Sequence, residues 1–339
     1  MAAGTDAATA KQYDRQIRLW GAEAQQRMGK ARVLMCGVRG LTAEIAKNIV
    51  LAGIGEVVLM DDAPLSEEDL GANYFALQHD VDAGRTRSQA SVAKLQDLNP
   101  LAKVTSMQGS PSTLTAETLG GFHVVCVSGA RKAERLRIDA LCRSSSVAFF
   151  SCDSFGLFAS VFIDLSKHQY TVEIKRKADD ATQQTQVEKH ELTYPSMEEA
   201  GKADWKRIQL PTKRVSPVFY AIQAVQEAHD ALGGRYPGEG DAEALAGAKK
   251  RLCASHAVEE GVFDDGLVRM VAAQGDADLN AVCSMVGGLV ADNILKAVSC
   301  KEEPVANHFV FDGRNGSGCV YIFPAQGKCV GDKKRQRDE

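Results

Sequence analysis

The sequence predicts a doubly wound α/β fold with a mostly parallel sheet, and three observations carry that prediction. Short apolar runs bounded by turns alternate with amphipathic stretches of helical length. A glycine-containing turn, Gly37-Val38-Arg39-Gly40-Leu41-Thr42, stands between the first run and the first stretch. Asp61-Asp62 then closes the second apolar run, so residues 31–62 have the layout of one βαβ unit.

Each element follows in order. Residues 1–10 are polar and alanine-rich and are expected to be disordered. Over 11–30, Tyr13, Ile17, Leu19 and Trp20 give the anchors of a helical arm. The continuous apolar run 33–36 suits a parallel strand covered on both faces. Leu41, Ile45, Ile49 and Leu51 fall near helical spacing, and Gly53 with Gly55 can stop that helix. Residues 57–60 are the second strand, 84–97 a helix ending before Asn99-Pro100, 124–127 a strand, 131–145 a helix and 147–152 a strand. From 166 to 215 charge dominates, which reads as strand edges joined by an exposed insertion. Helices are expected again over 217–232, 242–257 and 261–273.

The last helix, about 278–299, has Val282, Met285, Val286, Leu289, Val290, Ile294, Ala297 and Val298 as its apolar side. Gly287-Gly288 interrupts it at a cost of up to about 1 kcal/mol each against alanine, which points to close packing on another element. Strands at 309–311 and 319–322 follow, joined by a turn whose Asn315-Gly316 is a strong hairpin signal. The expected organisation is therefore a Rossmann-like core over 11–165, an insertion and helical segment over 166–275, core-completing elements over 276–325, and a disordered basic tail over 326–339.

Composition excludes several classes. At 339 residues, 45% hydrophobic and 25% charged with a net charge of −4, the chain gives no nucleic-acid signature. Its apolar runs fall short of the roughly 20 residues a bilayer requires, and no charged segment followed by an apolar one opens it. No nucleic-acid or membrane partner is expected, and the compartment expected is cytosolic or nuclear. The nine cysteines contain no C-x-x-C and the seven histidines no H-x-x-x-H, so no metal site is expected and the thiols read as small hydrophobes.

In a working G-x-G-x-x-G turn, the first glycine bends the chain, the second admits phosphate to the backbone and the third packs helix on strand. Those places hold Gly37, Arg39 and Thr42, with Gly40 as an extra glycine. An arginine and a β-branched residue there suggest a fold kept for reasons other than binding its own nucleotide. Asp61 has two readings, a ribose contact or a strand-end acid. Arg15 and Arg18, beside apolar anchors, could present guanidiniums to a neighbouring phosphoryl site, or form a basic helix face paired to acids. Arg85 and Arg87 could meet a phosphate, or open a solvated helix. Cys152 follows a strand where a nucleophile could sit, but no histidine is near in sequence and a structural thiol is favoured.

Several segments together resemble one family. They are Tyr-Asp-Arg-Gln-Ile-Arg-Leu-Trp-Gly at 13–21, Ala-Glu-Ile-Ala-Lys-Asn-Ile-Val-Leu-Ala-Gly at 43–53, Leu-Asn-Pro at 98–100, Val-Gly-Gly at 286–288 and His-Phe-Val-Phe-Asp-Gly at 308–313. They are similar to the small subunits of heterodimeric SUMO-activating enzymes, within the ThiF/MoeB-like superfamily, and the likeness covers about 12–165 and 276–324. The resemblance implies a pseudo-adenylation fold paired with a large catalytic subunit. That partner would hold ATP and magnesium, the zinc and the thioester-forming cysteine, and would adenylate the SUMO C-terminus. This chain would reach across with Arg15 toward the partner's ATP phosphates and bind no cofactor itself, so that Gly37, Arg39, Thr42 and Asp61 would be vestigial.

Departures from the active pattern agree with that division. Aligned on Asp61, the arginine of Asn-x-x-Arg-Gln becomes Ala72, the following lysine becomes Arg87, and the Asp-Cys-Thr-Asp-Asn segment becomes Cys126-Val127-Ser128-Gly129-Ala130. The middle, 166–275, matches weakly. Alternatives are the regulatory subunit of a NEDD8-activating enzyme, against which the short chain speaks, and a protein-binding scaffold without ATP chemistry. A free-standing NAD-dependent oxidoreductase ranks last, because Arg39 and Thr42 spoil its pyrophosphate turn. The run Lys333 to Arg337 reads as a nuclear-localisation signal.

Overall fold

The computed structural model describes residues 12–177, 183–205, 208 and 215–323; the expected disordered ends and the run Lys333 to Arg337 lie outside these. An eight-stranded sheet has the order β10-β9-β6-β5-β4-β1-β2-β3. Its strands are β1 (Arg32–Cys36), β2 (Glu56–Met60), β3 (Lys103–Met107), β4 (Val124–Val127), β5 (Ala148–Phe155), β6 (Phe158–Asp164), β9 (His308–Asp312) and β10 (Ser317–Tyr321). β3, β2, β1, β4 and β5 are parallel, whereas β6, β9 and β10 are joined antiparallel. The chain runs outward from β1 to β3 and then restarts at β4 on β1's other side. That reversal creates a crevice at the carboxyl ends of β1 and β4, the topological switch point of such sheets.

Both sheet faces are covered. On one lie α1 (Asp14–Trp20), α2 (Ala22–Lys30), α3 (Gly40–Ala52), α4 (Arg87–Asp97) and α10 (Asn280–Ser299), counted in chain order; Leu41, Ile45, Leu95, Val282, Val286 and Ile294 share a core there with Val33, Met35 and Phe150. The other face carries α5 (Lys132–Ser144), α6 (Met197–Lys202), α7 (Pro217–Ala231), α8 (Ala242–His256) and α9 (Asp265–Ala272). Ile138, Phe219, Leu252 and Val268 pack there against Leu34, Val125 and Phe149. The helices of 217–272 are thus half of the core, because the sheet's second face has to be buried. The 166–215 region holds a long hairpin, β7 (Lys167–Lys177) with β8 (Gln183–Thr193), in a sheet of its own.

Several expectations are sharpened. The arm is two helices, because Gly21 at φ +87° breaks it after Trp20. The helix expected from 84 starts at Arg87, where Thr86 caps it and accepts the Gln89 N–H at 3.3 Å. β3 gives little apolar signal because it is an edge strand with Val104 as its buried residue. α10, at 20 residues, is long and apolar enough by composition to cross a membrane, which the sequence reading did not foresee, and it packs along α3.

Only one of its two glycines is needed for that packing. A Cβ at Gly287 would stand 2.7 Å from Glu44 Cβ on α3, whereas at Gly288 it meets open space. Gly288→Ala is therefore expected to stabilise the chain, by up to about 1 kcal/mol, and Gly287→Ala to destabilise it. Urea unfolding of the two variants checks the contrast; equal shifts of the same sign would contradict it.

Candidate functional site: a nucleotide turn closed by its own side chains

The glycine turn lies at the crevice, between β1 and α3. Gly37 sits at φ +82°, and a Cβ there would come 2.4 Å from the Ser128 carbonyl oxygen at the end of β4, so both conformation and space demand glycine. After it come three backbone N–H groups at the head of α3, the groups that would cradle a phosphate. All three are engaged within the chain. Val38 N–H donates to Asp61 Oδ2 at 2.7 Å, Arg39 N–H to Thr42 Oγ1 at 2.8 Å, and Gly40 N–H to Asp278 Oδ2 at 3.0 Å. The Thr42 hydroxyl in turn donates to the Gly37 carbonyl at 2.6 Å, which ties the turn to the first turn of the helix.

The Arg39 side chain is tied to the segment that supplies Asp278. Its Nε lies 3.3 Å from Asp278 Oδ2 and its Nη2 donates to the Asp276 carbonyl. Burial alone would lower this guanidinium, but Asp278 and its neighbours hold it above its ordinary value. The other oxygen of Asp278 accepts from the Ser154 hydroxyl on β5, and Asn280 donates to the Gly71 carbonyl at 3.0 Å. The segment leading into α10 is therefore clamped over the turn. Gly40 is required for the closure, since a Cβ there would stand 2.7 Å from Ala72 Cβ and 3.0 Å from Asp278 Cβ.

Asp61, Arg87, Ala72 and Gly129 meet around the same crevice. Burial raises the Asp61 carboxyl above its ordinary range, opposed by the N–H groups of Val38 and Ala63. Arg87 lies 3.9 Å from Asp61, but its Nε donates to Asp69 Oδ2 at 2.9 Å. Burial would raise Asp69; Arg87 and Ser66 outweigh it and hold this acid low. Ala72 is buried against Gly40, and Gly129 N–H donates to Asp153 Oδ1 at 2.9 Å. The donor set does not fit a nucleotide with its magnesium: the N–H cradle is engaged by two carboxylates and a hydroxyl, and Arg39 at its centre is paired to Asp278. Cys152 is fully buried, 3.4 Å from the Cys126 sulfur, and that thiol together with burial pushes it up, as befits a structural thiol.

Asp278 and Asp153 have no counterpart in the sequence reading. Asp278 is 238 positions from the amide it caps, and its one local signal is an acid just before α10. Asp153 forms a buried ion pair with Arg135 of α5.

Arg15 belongs to another neighbourhood. Helix α1 contains no buried residue; Arg15 is exposed and Leu19 is 71% exposed. Among the described residues Arg15 makes no ion pair or hydrogen bond, whereas Arg18 pairs with Asp14 at 2.9 Å. The arm is nevertheless fixed at its root. Asn99, fully buried, donates to Tyr13 Oη and to the Val50 carbonyl, each at 2.7 Å, and accepts from Gln12 at 2.8 Å. The Tyr13 ring rests where a Cβ on Gly53 would be, 2.6 Å away. Three separated segments, around Tyr13, Gly53 and Leu98-Asn99-Pro100, thus converge on one anchor.

With this geometry the class of protein is defined: the chain belongs to the ThiF family, whose profile matches residues 13–327. Within it, the chain is similar to SUMO-activating enzyme subunit 1A of Arabidopsis thaliana, 35% identical over 314 residues, covering 91% of this chain and 93% of that one. It is also similar to SUMO-activating enzyme subunit 1 of Rattus norvegicus, at 33% identity covering 94% and 95%, and of Homo sapiens, at 30% covering 96% of each. Among solved structures, PaaA superposes with a TM-score of 0.58 at 15% identity, covering 95% of this chain and 86% of that one. E. coli MccB gives 0.54 at 10%, covering 94% and 73%. These two likenesses show the fold.

Asp278→Ala removes the acceptor of the Gly40 N–H and the counter-charge of Arg39, and is expected to destabilise the chain by about 1–3 kcal/mol. Chemical denaturation measures it; a change within error would show that the clamp carries no stability.

Proposed function

We propose that this chain is the non-catalytic subunit of a heterodimeric SUMO-activating enzyme. In this reading a large catalytic partner holds ATP and magnesium, adenylates the SUMO C-terminus and forms the thioester on its own cysteine, while this chain supplies Arg15 to the partner's ATP site. The observation that carries the reading is the head of α3, where Val38, Arg39 and Gly40 N–H are held by Asp61, Thr42 and Asp278. A phosphate would have to displace two carboxylates, the buried Asp61 and the half-buried Asp278, from amides that already satisfy them. The similarity to SUMO-activating enzyme subunits over nearly the whole chain supports the choice of modifier and disfavours the NEDD8 alternative.

Arg15 suits the role in physical terms. A guanidinium supplied from a neighbouring subunit offsets charge on transferring phosphoryl groups, and it does so best from a fixed base. Helix α1 offers that base, since Asn99, Tyr13 and Gly53 fix its root and leave Arg15 outside. The basic run Lys333 to Arg337 motivates a nuclear location.

With a cognate large subunit, ATP and SUMO present, adding this chain should raise thioester formation on the partner. Arg15→Ala should slow adenylation on the order of 10²-fold while leaving the heterodimer intact in gel filtration. A large subunit that forms thioester equally fast alone would refute the proposal, and an Arg15→Ala complex of full activity would favour a scaffold.

A further inference from the structure

On the sheet face that carries α5 to α9, the strands place polar side chains where a core is ordinarily apolar. Along β5 the positions turned to this side are Phe149, Ser151, Asp153 and Phe155, and along β6 Phe158, Ser160 and Phe162. The middle of each run is polar, and all of it is buried. Ser151, Asp153 and Ser160, with Arg135 of α5 and His308 of β9, line a cavity of about 80 Å³ whose aromatic walls are Phe162, Phe219, Phe323 and Trp205. None of these polar groups has a part in the glycine turn.

The carboxylate in this wall is fully engaged. Asp153 Oδ1 accepts the Gly129 N–H at 2.9 Å, and Oδ2 accepts from Arg135 Nη1 and, at 3.4 Å, from Gln226 Nε2. Donors, by contrast, are left over. Arg135 Nε donates to the Ala130 carbonyl at 2.6 Å and Nη1 also reaches Ser151 Oγ at 3.3 Å, but Nη2 makes no hydrogen bond among the described residues. The Ser151 hydroxyl proton has no acceptor among them either. Ser160 Oγ and His308 Nε2 lie 2.9 Å apart, and burial pushes the imidazole down to about 3, so it is neutral. Serine and neutral histidine carry one proton each, and whichever donates in this bond, the other proton stays free. The indole N–H of Trp205 is buried without an acceptor.

An excess of donors calls for a ligand oxygen, and the charges decide its kind. The Arg135 charge is already answered by Asp153, and an entering carboxylate would meet that acid inside a buried site. Lys132, the other cation in the wall, is exposed, and burial lowers the His229 and His256 imidazoles as well. An uncharged oxygen is therefore favoured. Ser160 and His308 have the spacing of a nucleophile and its base, but so weakly basic an imidazole takes no proton from a hydroxyl at neutral pH, and no carboxylate bonds to it among the described residues. The arrangement suits binding and not turnover. Its volume is roughly the share of three water molecules, enough for one small functional group.

We propose that this cavity is a binding site for a small uncharged carbonyl group, that of an amide above all, whose oxygen takes up the spare donors of Ser151 and Arg135. The site stands independently of the activating-enzyme reading, since neither the glycine turn nor the N-terminal arm lines it.

Acetamide and acetate, nearly equal in size and different in charge, are the probes. Titration of the full chain, followed by proton–nitrogen NMR, reads the indole N–H signals of its two tryptophans, which a Trp20→Phe variant assigns. Acetamide should move the Trp205 signal saturably, with a Kd between about 40 µM and about 0.1 M, the limits that ligand efficiency sets for four heavy atoms. Acetate should bind at least about tenfold more weakly. Ser151→Ala removes one donor and should weaken acetamide about fivefold. No saturable shift in that range would overturn the site, acetate binding as tightly as acetamide would overturn the uncharged class, and an unchanged affinity in Ser151→Ala would overturn the assigned donor. Should that variant fail to fold, the contrast between the two probes in the parent decides alone.

Discussion

Three backbone N–H groups at the head of α3 organise this molecule. A helix start leaves amides that need acceptors, and at a topological switch point those amides face an open crevice. Here Asp61 of the second strand, Thr42 of the helix itself and Asp278 from the far end of the chain supply the acceptors. Each has a further attachment. Asp61 reaches Ala63, Thr42 reaches the Gly37 carbonyl, and Asp278 reaches Ser154 and Arg39. One set of amides therefore joins β1, β2, β5, α3 and the approach to α10.

The same economy separates the two ends of the N-terminal arm. Tyr13 is spent on structure, locked under Asn99 and over Gly53, and Arg15 two positions later is left without a partner among the described residues. A long side chain on a fixed helix loses less conformational freedom when it meets a target than one on a loose tail. The fold thus leaves this arginine on a fixed base, while the amides at its own crevice are held by Asp61, Thr42 and Asp278.

Much of the fold was legible because its determinants are local. The buried parallel strands read as apolar runs, and α3, α5, α7 and α10 read from spacing and stop signals. β3 was missed because an edge strand needs little apolar surface, and the start of α4, expected at 84, falls at Arg87 because Thr86 supplies the cap. At the turn, Arg39 and Thr42 announced that the cradle had changed, since their local chemistry contradicts the glycine pattern. What replaced it was not legible. Asp278 lies 238 residues from Gly40 and Asp153 lies 24 from Gly129, and no periodicity links an acid to an amide at such separations.

Closure by side chains also bears on reversibility. Glycine at position 39 would remove the guanidinium yet leave Asp278 on the Gly40 amide and strand its charge, so that change alone lowers stability without freeing the amide. Removing Asp278 first would leave Arg39 without its counter-ion. Each reversal is harmful until the other has been made, and Ala72 packed on Gly40 would have to move as well. The residues around the crevice thus form an interdependent set, in which side chains that fit one another resist change more firmly than any one of them could.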